Sequence, residues 1–180
     1  MRLLYNILSL QVGWFACILA ASYGLHLLGP LVVLGLLVIH LSTSDNRRRE
    51  VLLLLTAGLL GTILDSILLS TGAIAFPSEW AGGLVPPLWM TALWMNFAAT
   101  VNVSMRWLNG RYPLAVLLGA ISGPMAYYAG AKLGAVSLTA SWSLIGIGLE
   151  WAVAMPVLLL VNHQLSRPVH GKPALPEAAG

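Results

Sequence analysis

Charge is what this chain has least of. Only 8% of its 180 residues are Asp, Glu, Lys or Arg, against roughly 25% in a soluble globular domain. That shortage excludes a fold with an ordinary water-facing surface. Cysteine is almost absent. Cys17 stands alone, which excludes an intrachain disulfide and any multi-cysteine metal site. The chain holds no H-E-x-x-H, no P-loop and no dinucleotide fingerprint, and no His or Cys cluster with metal-ligand spacing. Gly119-Ala-Ile-Ser-Gly123 lacks the pattern of a hydrolase nucleophile elbow. Neither a metal nor a cofactor is implied. The net charge of +3 does not indicate a nucleic-acid partner, because the basic residues sit between apolar runs, where membrane orientation explains them.

What the chain has is apolar length. It is 58% hydrophobic, with a mean hydropathy of +0.85. The runs predict six helices: Leu3–Tyr23, Pro30–Leu41, Val51–Ser70, Leu88–Met105, Tyr112–Lys132 and Trp142–Val161. Spans of about 20 residues match a hydrocarbon core of about 30 Å. The second run is short unless Leu25–Leu28 or Ser42–Ser44 extend it. Arg2 ahead of an apolar stretch resembles the start of a signal peptide. Asn6 and Gln11 interrupt that stretch early, so it reads as a retained helix. The expected fold is all-α, a polytopic membrane protein of six transmembrane helices over residues 1–163. A short, polar, Pro-rich tail over 164–180 is expected to be disordered.

With the N-terminus in the cytoplasm, eight of the nine Lys and Arg residues fall on the inner side and Lys132 alone on the outer. That asymmetry predicts a bacterial inner-membrane protein with both termini inside. Trp80, Trp89, Trp142 and Tyr23 are expected at the outer interface, with Phe76 and Trp80 resting there. Tyr5, Trp107 and Tyr112 are expected at the inner one. Arg47-Arg48-Arg49 reads as a topology signal that also suits anionic headgroups. His40 and His163 read as solvated interfacial residues.

The stretch Gly119–Gly134 holds four glycines, a proline and a lysine within an apolar run. Gly123-Pro124 is expected to interrupt the helix, since Pro lacks an N–H and crowds the preceding turn. The glycines offer flat surfaces to neighbouring helices. Either this is a kinked packing helix whose Lys132 snorkels to the surface, or a broken helix lining a functional cavity.

Gln11, Asp65, Asn96, Lys132 and Glu150 fall within or at the edge of the runs. A carboxylate at such depth costs about 2.5–3.5 kcal/mol on insertion scales, so it must be protonated, paired or hydrated. Lys132 is the one cation at suitable depth to pair with Asp65 or Glu150. The two acids are either structural or coupling groups for a proton or substrate. Gly58, Gly61 and Asp65 share one helix side, and so do Gly146, Glu150 and Ala154. Such small-residue faces meet other helices. Trp14, Trp94 and Trp151 lie at similar depth, as core packing or as cavity walls.

A shift of 85 places sets Leu60–Asp65 over Ile145–Glu150, and Gln11 over Asn96. Because the two halves would enter from opposite sides, a 3+3 repeat here would be inverted, with a site between Asp65 and Glu150.

Gln11-Val-Gly-Trp14, Asp65-Ser66, Pro86-Pro-Leu-Trp89, Leu93-Trp94, Gly123-Pro124, Tyr127-Tyr128 and Gly130–Ala135 together resemble a family of small bacterial inner-membrane proteins, the domain of unknown function DUF2878. The resemblance runs to about Val161. It implies an association with lipid metabolism and carries over no catalytic residue.

Three functional classes follow from these readings. One is a small transporter or lipid-handling protein that uses Glu150 and Asp65, with Lys132 as counter-ion or anion contact and Asn96, Gln11, Trp94 and Tyr127 as binding or coupling candidates. The second is an intramembrane lipid-modifying enzyme with either acid as general acid or base. The third is a non-catalytic scaffold or accessory subunit. Membrane lipids are the expected partners. Gly119 and Gly123 also allow a homo-oligomer or a membrane-protein partner.

Overall fold

The computed structural model describes residues 2–77 and 83–166. Within them six α-helices follow one another: α1 Arg2–Ser22, α2 Leu28–Ser42, α3 Arg47–Ser70, α4 Leu88–Ala98, α5 Tyr112–Lys132 and α6 Ser143–Ser166. A two-stranded antiparallel ribbon, β1 Ile74–Ala75 with β2 Ser137–Leu138, pairs Ile74 with Leu138. Trp80 and Gly82, the charges Arg167 and Lys172, and most of the expected tail lie outside the described residues. The part of that tail up to Ser166 continues α6.

Four helices, α1, α3, α5 and α6, are long and apolar enough to cross a membrane. Their outer faces fit a membrane environment. Leu55, Leu59, Ile63 and Ile67 repeat every fourth residue along α3 and are all exposed. In water that stripe would be the buried face; here it faces lipid. The small and polar residues of α3, Ala57, Gly58, Gly61 and Asp65, are the buried ones.

α2 and α4 are shorter. α2 gains Leu28, Gly29 and Ser42 at its ends relative to the predicted run. α4 loses its last turns: the helix predicted to reach Met105 stops at Ala98, after 11 residues. Eleven residues rise about 16 Å, half a hydrocarbon core. Thr100, Val101, Asn102, Val103 and Ser104 are all modest helix formers, and Thr100 Oγ1 bonds back to the Phe97 carbonyl at 2.6 Å. The chain continues as tight turns, Thr100 to Phe97, Val101 to Ala98 and Val103 to Thr100, and ends in the 3-10 turn Arg106–Leu108. Irregular backbone at membrane depth persists only where protein covers it. α4 packs against α1, α2 and α3, and so occupies the middle of the bundle.

The break expected at Gly123-Pro124 is not there. α5 runs unbroken from Tyr112 to Lys132 with Pro124 inside it. Pro124 leaves the Ala120 carbonyl without its helical donor. Gly148 of α6 closes over that oxygen, so near that a β-carbon on Gly148 would sit 3.2 Å from it. Gly119 and Gly123 abut the backbone and indole of Trp151 on α6. The glycine surfaces therefore serve the close α5–α6 contact rather than a break.

The ends of the bundle differ. One carries the ribbon, held to α6 by Ser143 Oγ, which donates to the Ala73 carbonyl at 2.5 Å. The other, the arginine end, carries Arg2, paired with Asp45 at 3.3 Å, and the starts of α3 and α5. The packing does not repeat. α1 packs closely on α2 and α5 on α6, whereas the 85-place shift would equate α1–α2 with α4–α5 and α5–α6 with α2–α3. α4–α5 is not a closely packed pair, and α2–α3 touch only slightly.

Candidate functional site

Asp65 is fully buried on α3, and the reason is Gly61 one turn before it. Gly61 has no side chain where the Trp94 indole lies, so Trp94 of α4 packs flat against α3. Its Nε1–H donates to Asp65 Oδ2 at 2.7 Å. The other carboxylate oxygen accepts from the Tyr127 hydroxyl of α5. Tyr127 Oη also lies 3.9 Å from Met90 Sδ. Three helices thus meet on one carboxyl group.

Glu150 of α6 is 8% exposed and within Coulombic reach of Asp65 and Tyr127. Neither of its carboxyl oxygens has a partner among the described residues. The next residue, Trp151, stacks on Trp94 with centroids 4.5 Å apart and an interplanar angle of 17°, and Phe97 meets it edge-on at 5.0 Å. The Trp151 Nε1–H is buried without a partner too.

These aromatics wall a crevice of about 360 Å³ between α1 and α5, with α4 at its back. Gln11 and Trp14 line it from α1, Phe97 and Trp94 from α4, Ser122 and Tyr127 from α5. The lining is aromatic and aliphatic, with Gln11, Ser122 and Tyr127 as the polar points. Trp14, Trp94 and Trp151 therefore all line the cavity, although Trp94 is also core. Asn96, by contrast, serves structure. Its Nδ2 donates to the Leu10 carbonyl at 3.1 Å, and it fills the space left by Gly13.

Lys132 does not meet either acid. It is exposed at the end of α5, with Nζ 5.2 Å from the Tyr128 ring centroid. Among the described residues Arg2 pairs with Asp45 and His40 lies against Glu50. Trp89, expected at an interface, is 2% exposed and packs edge-on against Phe76 at 5.6 Å. Among the described residues no three His, Cys, Asp or Glu side chains gather in metal-binding fashion.

A second polar cluster, absent from the sequence reading, lies at the arginine end. His40, expected to be solvated, is buried with its Nε2 3.2 Å from Glu50 Oε2. Asn102 donates to Glu50 Oε1 at 2.8 Å. Arg49 Nη2 donates to Asn102 Oδ1 and to Asn162 Oδ1, both at 2.9 Å. Arg49 is therefore a half-buried, hydrogen-bonded residue rather than a fully solvated one. α3 starts at Arg47, with Asn46 Oδ1 capping the Arg49 N–H at 3.1 Å. The cap turns Arg49 and Glu50 inward. A capping Asn three residues before an Arg-Glu pair was the one local signal available.

A helical bundle with an apolar exterior and with polar groups such as Asp65, Asn96 and Glu150 set into its buried core defines a helical membrane-embedded protein. Within that class, the model of the family described as "Protein of unknown function (DUF2878)" matches residues 3–157, and the chain belongs to that family. No curated protein and no solved structure matches it.

Proposed function

We propose that this protein handles lipid within the membrane, binding an apolar chain in the crevice between α1 and α5. The crevice itself carries this reading. It is lined from Leu10 to Ile18 on α1 and from Ser122 to Gly130 along the second half of α5. A volume of about 360 Å³ falls within the range of small-molecule sites, which are mostly apolar with a few placed polar groups. Gln11, Ser122 and Tyr127 are those groups. Behind the wall, Asp65 and Glu150 supply two carboxyl groups, one fully hydrogen-bonded and one unpartnered. They are the groups through which binding couples to proton or substrate movement.

In this reading all six helices cross or enter a bacterial inner membrane, with the arginine end cytoplasmic. The clustering of Arg2, Arg47, Arg48, Arg49, Arg106 and Arg111 at one end supports that orientation.

Photocrosslinking in reconstituted vesicles tests the binding. A phospholipid with a diazirine on its acyl chain should label peptides covering Leu10–Ile18 and Ser122–Gly130 ahead of other lipid-facing segments. Ala126→Trp, which fills the crevice, should remove that preference. Even labelling of all exposed helices, unchanged by Ala126→Trp, would discard the reading.

A further inference from the structure

The arginine end holds a second cavity that the crevice does not explain. It is a half-open cavity of about 230 Å³, lined by Gly110 and Leu159 together with the polar side chains of Arg49, Asn109, Tyr112, Asn162, His163 and Ser166. Every one of these polar side chains carries a hydrogen-bonding group. Among the described residues no carboxylate lines it. The nearest acid in the network, Glu50, is already held by His40 and Asn102, and Asn102 stands between it and Arg49. The Arg49 guanidinium commits Nη2 to Asn102 and Asn162, while its Nε–H is buried with no partner among the described residues.

A planar guanidinium with spare donors is suited to phosphate oxygens. Other donors surround the same space. α5 begins here at Tyr112 with no side-chain cap; Pro113 has no N–H and the Ala115 N–H is held by the Arg111 carbonyl, which leaves the Tyr112 and Leu114 N–H groups of the first turn. Arg106 and Arg111, exposed on the same turn, add positive charge.

We propose that this cavity binds an anionic phosphate group, with Arg49 as its main contact and Tyr112, His163 and Ser166 around it. The phosphate is either the headgroup of a membrane lipid or a free anion. The site is independent of the crevice and of any activity there.

The test uses the full chain in phosphatidylcholine nanodiscs, with phosphatidylglycerol as the probe and inorganic phosphate as the competitor. Native mass spectrometry counts the bound lipid. Phosphatidylglycerol should bind at one saturable site, and Arg49→Gln should weaken it about tenfold. Arg49 also holds the bundle end together, so Tyr112→Phe combined with Ser166→Ala provides a second variant that leaves the Arg49–Asn102–Asn162 contacts in place. It should weaken binding about threefold. Arg48→Gln, on an exposed neighbour, should change nothing. Competition by inorganic phosphate identifies a free anion as sufficient. Failure to compete, with saturable lipid binding intact, assigns the site to a lipid headgroup. The proposal is overturned if wild type and both cavity variants bind alike, or if Arg48→Gln weakens binding as much as Arg49→Gln.

Discussion

The Tyr127 hydroxyl donates to the Asp65 carboxylate across 62 residues of chain, and this single bond joins α5 to α3. The two helices have no close packing of their own. α6 bridges them on one side, and the Tyr127–Asp65 bond spans the gap behind the crevice. A membrane interior offers no water to replace a lost donor there.

Tyr127→Phe should therefore destabilise the protein by about 1–3 kcal/mol, the cost of leaving a buried acceptor unpaired. Thermal unfolding in detergent measures it. A double-mutant cycle with Asp65→Ala should show a coupling of about 0.5–3 kcal/mol between the two positions. Strictly additive losses would mean that the bond contributes nothing beyond the separate side chains.

Glu150 should behave in the opposite way. Its carboxyl group has no partner to lose among the described residues, so Glu150→Gln removes an ionisable group without breaking a bond. Stability is expected to stay level or to rise by on the order of 1 kcal/mol. If Glu150 couples binding to proton or substrate movement, the same variant loses that activity while remaining folded. Mass spectrometry of total membrane lipids, from cells with wild type, with Glu150→Gln and with neither, reads the chemical side of this. A lipid whose mass depends on Glu150 would mark covalent chemistry. An unchanged lipid profile together with lost flux in vesicles would mark transport. A folded Glu150→Gln protein with full activity would remove Glu150 from the mechanism.

How far the sequence speaks for itself depends on the range of the interaction. The limits of α5, Tyr112 and Lys132, follow directly from the apolar run and its flanking charges. The inward faces of Gly58, Gly61 and Asp65, and of Glu150 and Ala154, follow from helical spacing. The end of α4 does not, because residues 99–105 stay apolar enough to continue a span. Their weak helix propensity decides only once Asn6 and Arg49 offer the backbone and Asn102 other partners. Depth alone matches Lys132 to the acids, and depth says nothing of which side of a helix a group occupies. The Arg49–Asn162 contact links positions 113 apart, and no local pattern announces such a pair.

Two glycine substitutions separate packing from propensity. A β-carbon on Gly61 would fall inside the Trp94 ring, so Gly61→Ala must push Trp94 off α3 and loosen its bond to Asp65. The expected loss is about 1–3 kcal/mol, with reduced Trp94–Trp151 stacking visible in near-ultraviolet circular dichroism. Gly35 on α2 has nothing within 4 Å of the same added atom. Gly35→Ala should instead stabilise by about 0.5–1 kcal/mol through helix propensity. Equal effects at the two sites would contradict the packing described for α3 and α4.

Asn6 holds the unwound continuation of α4 in place. Its Nδ2 donates to the Ala99 carbonyl at 3.0 Å, and its Oδ1 accepts from Ser104 N at 3.2 Å and Ser104 Oγ at 2.7 Å. A helix would have satisfied these backbone groups internally; the turns cannot, so one side chain from α1 replaces the missing partners. Asn6→Ala leaves a donor and an acceptor stranded and should cost at least about 2 kcal/mol. Ser9→Ala on the same helix removes only a bond back to the Asn6 carbonyl and should be close to neutral. Hydrogen exchange gives the local readout. The Ser104 amide should exchange faster in Asn6→Ala than in wild type, while amides in the middle of α5 keep their protection. Unchanged exchange at Ser104 with an unchanged melting temperature would show that the turns hold without Asn6, and their stability would then rest on the burial of Ala98, Ala99 and Val101 against α1, α2 and α3.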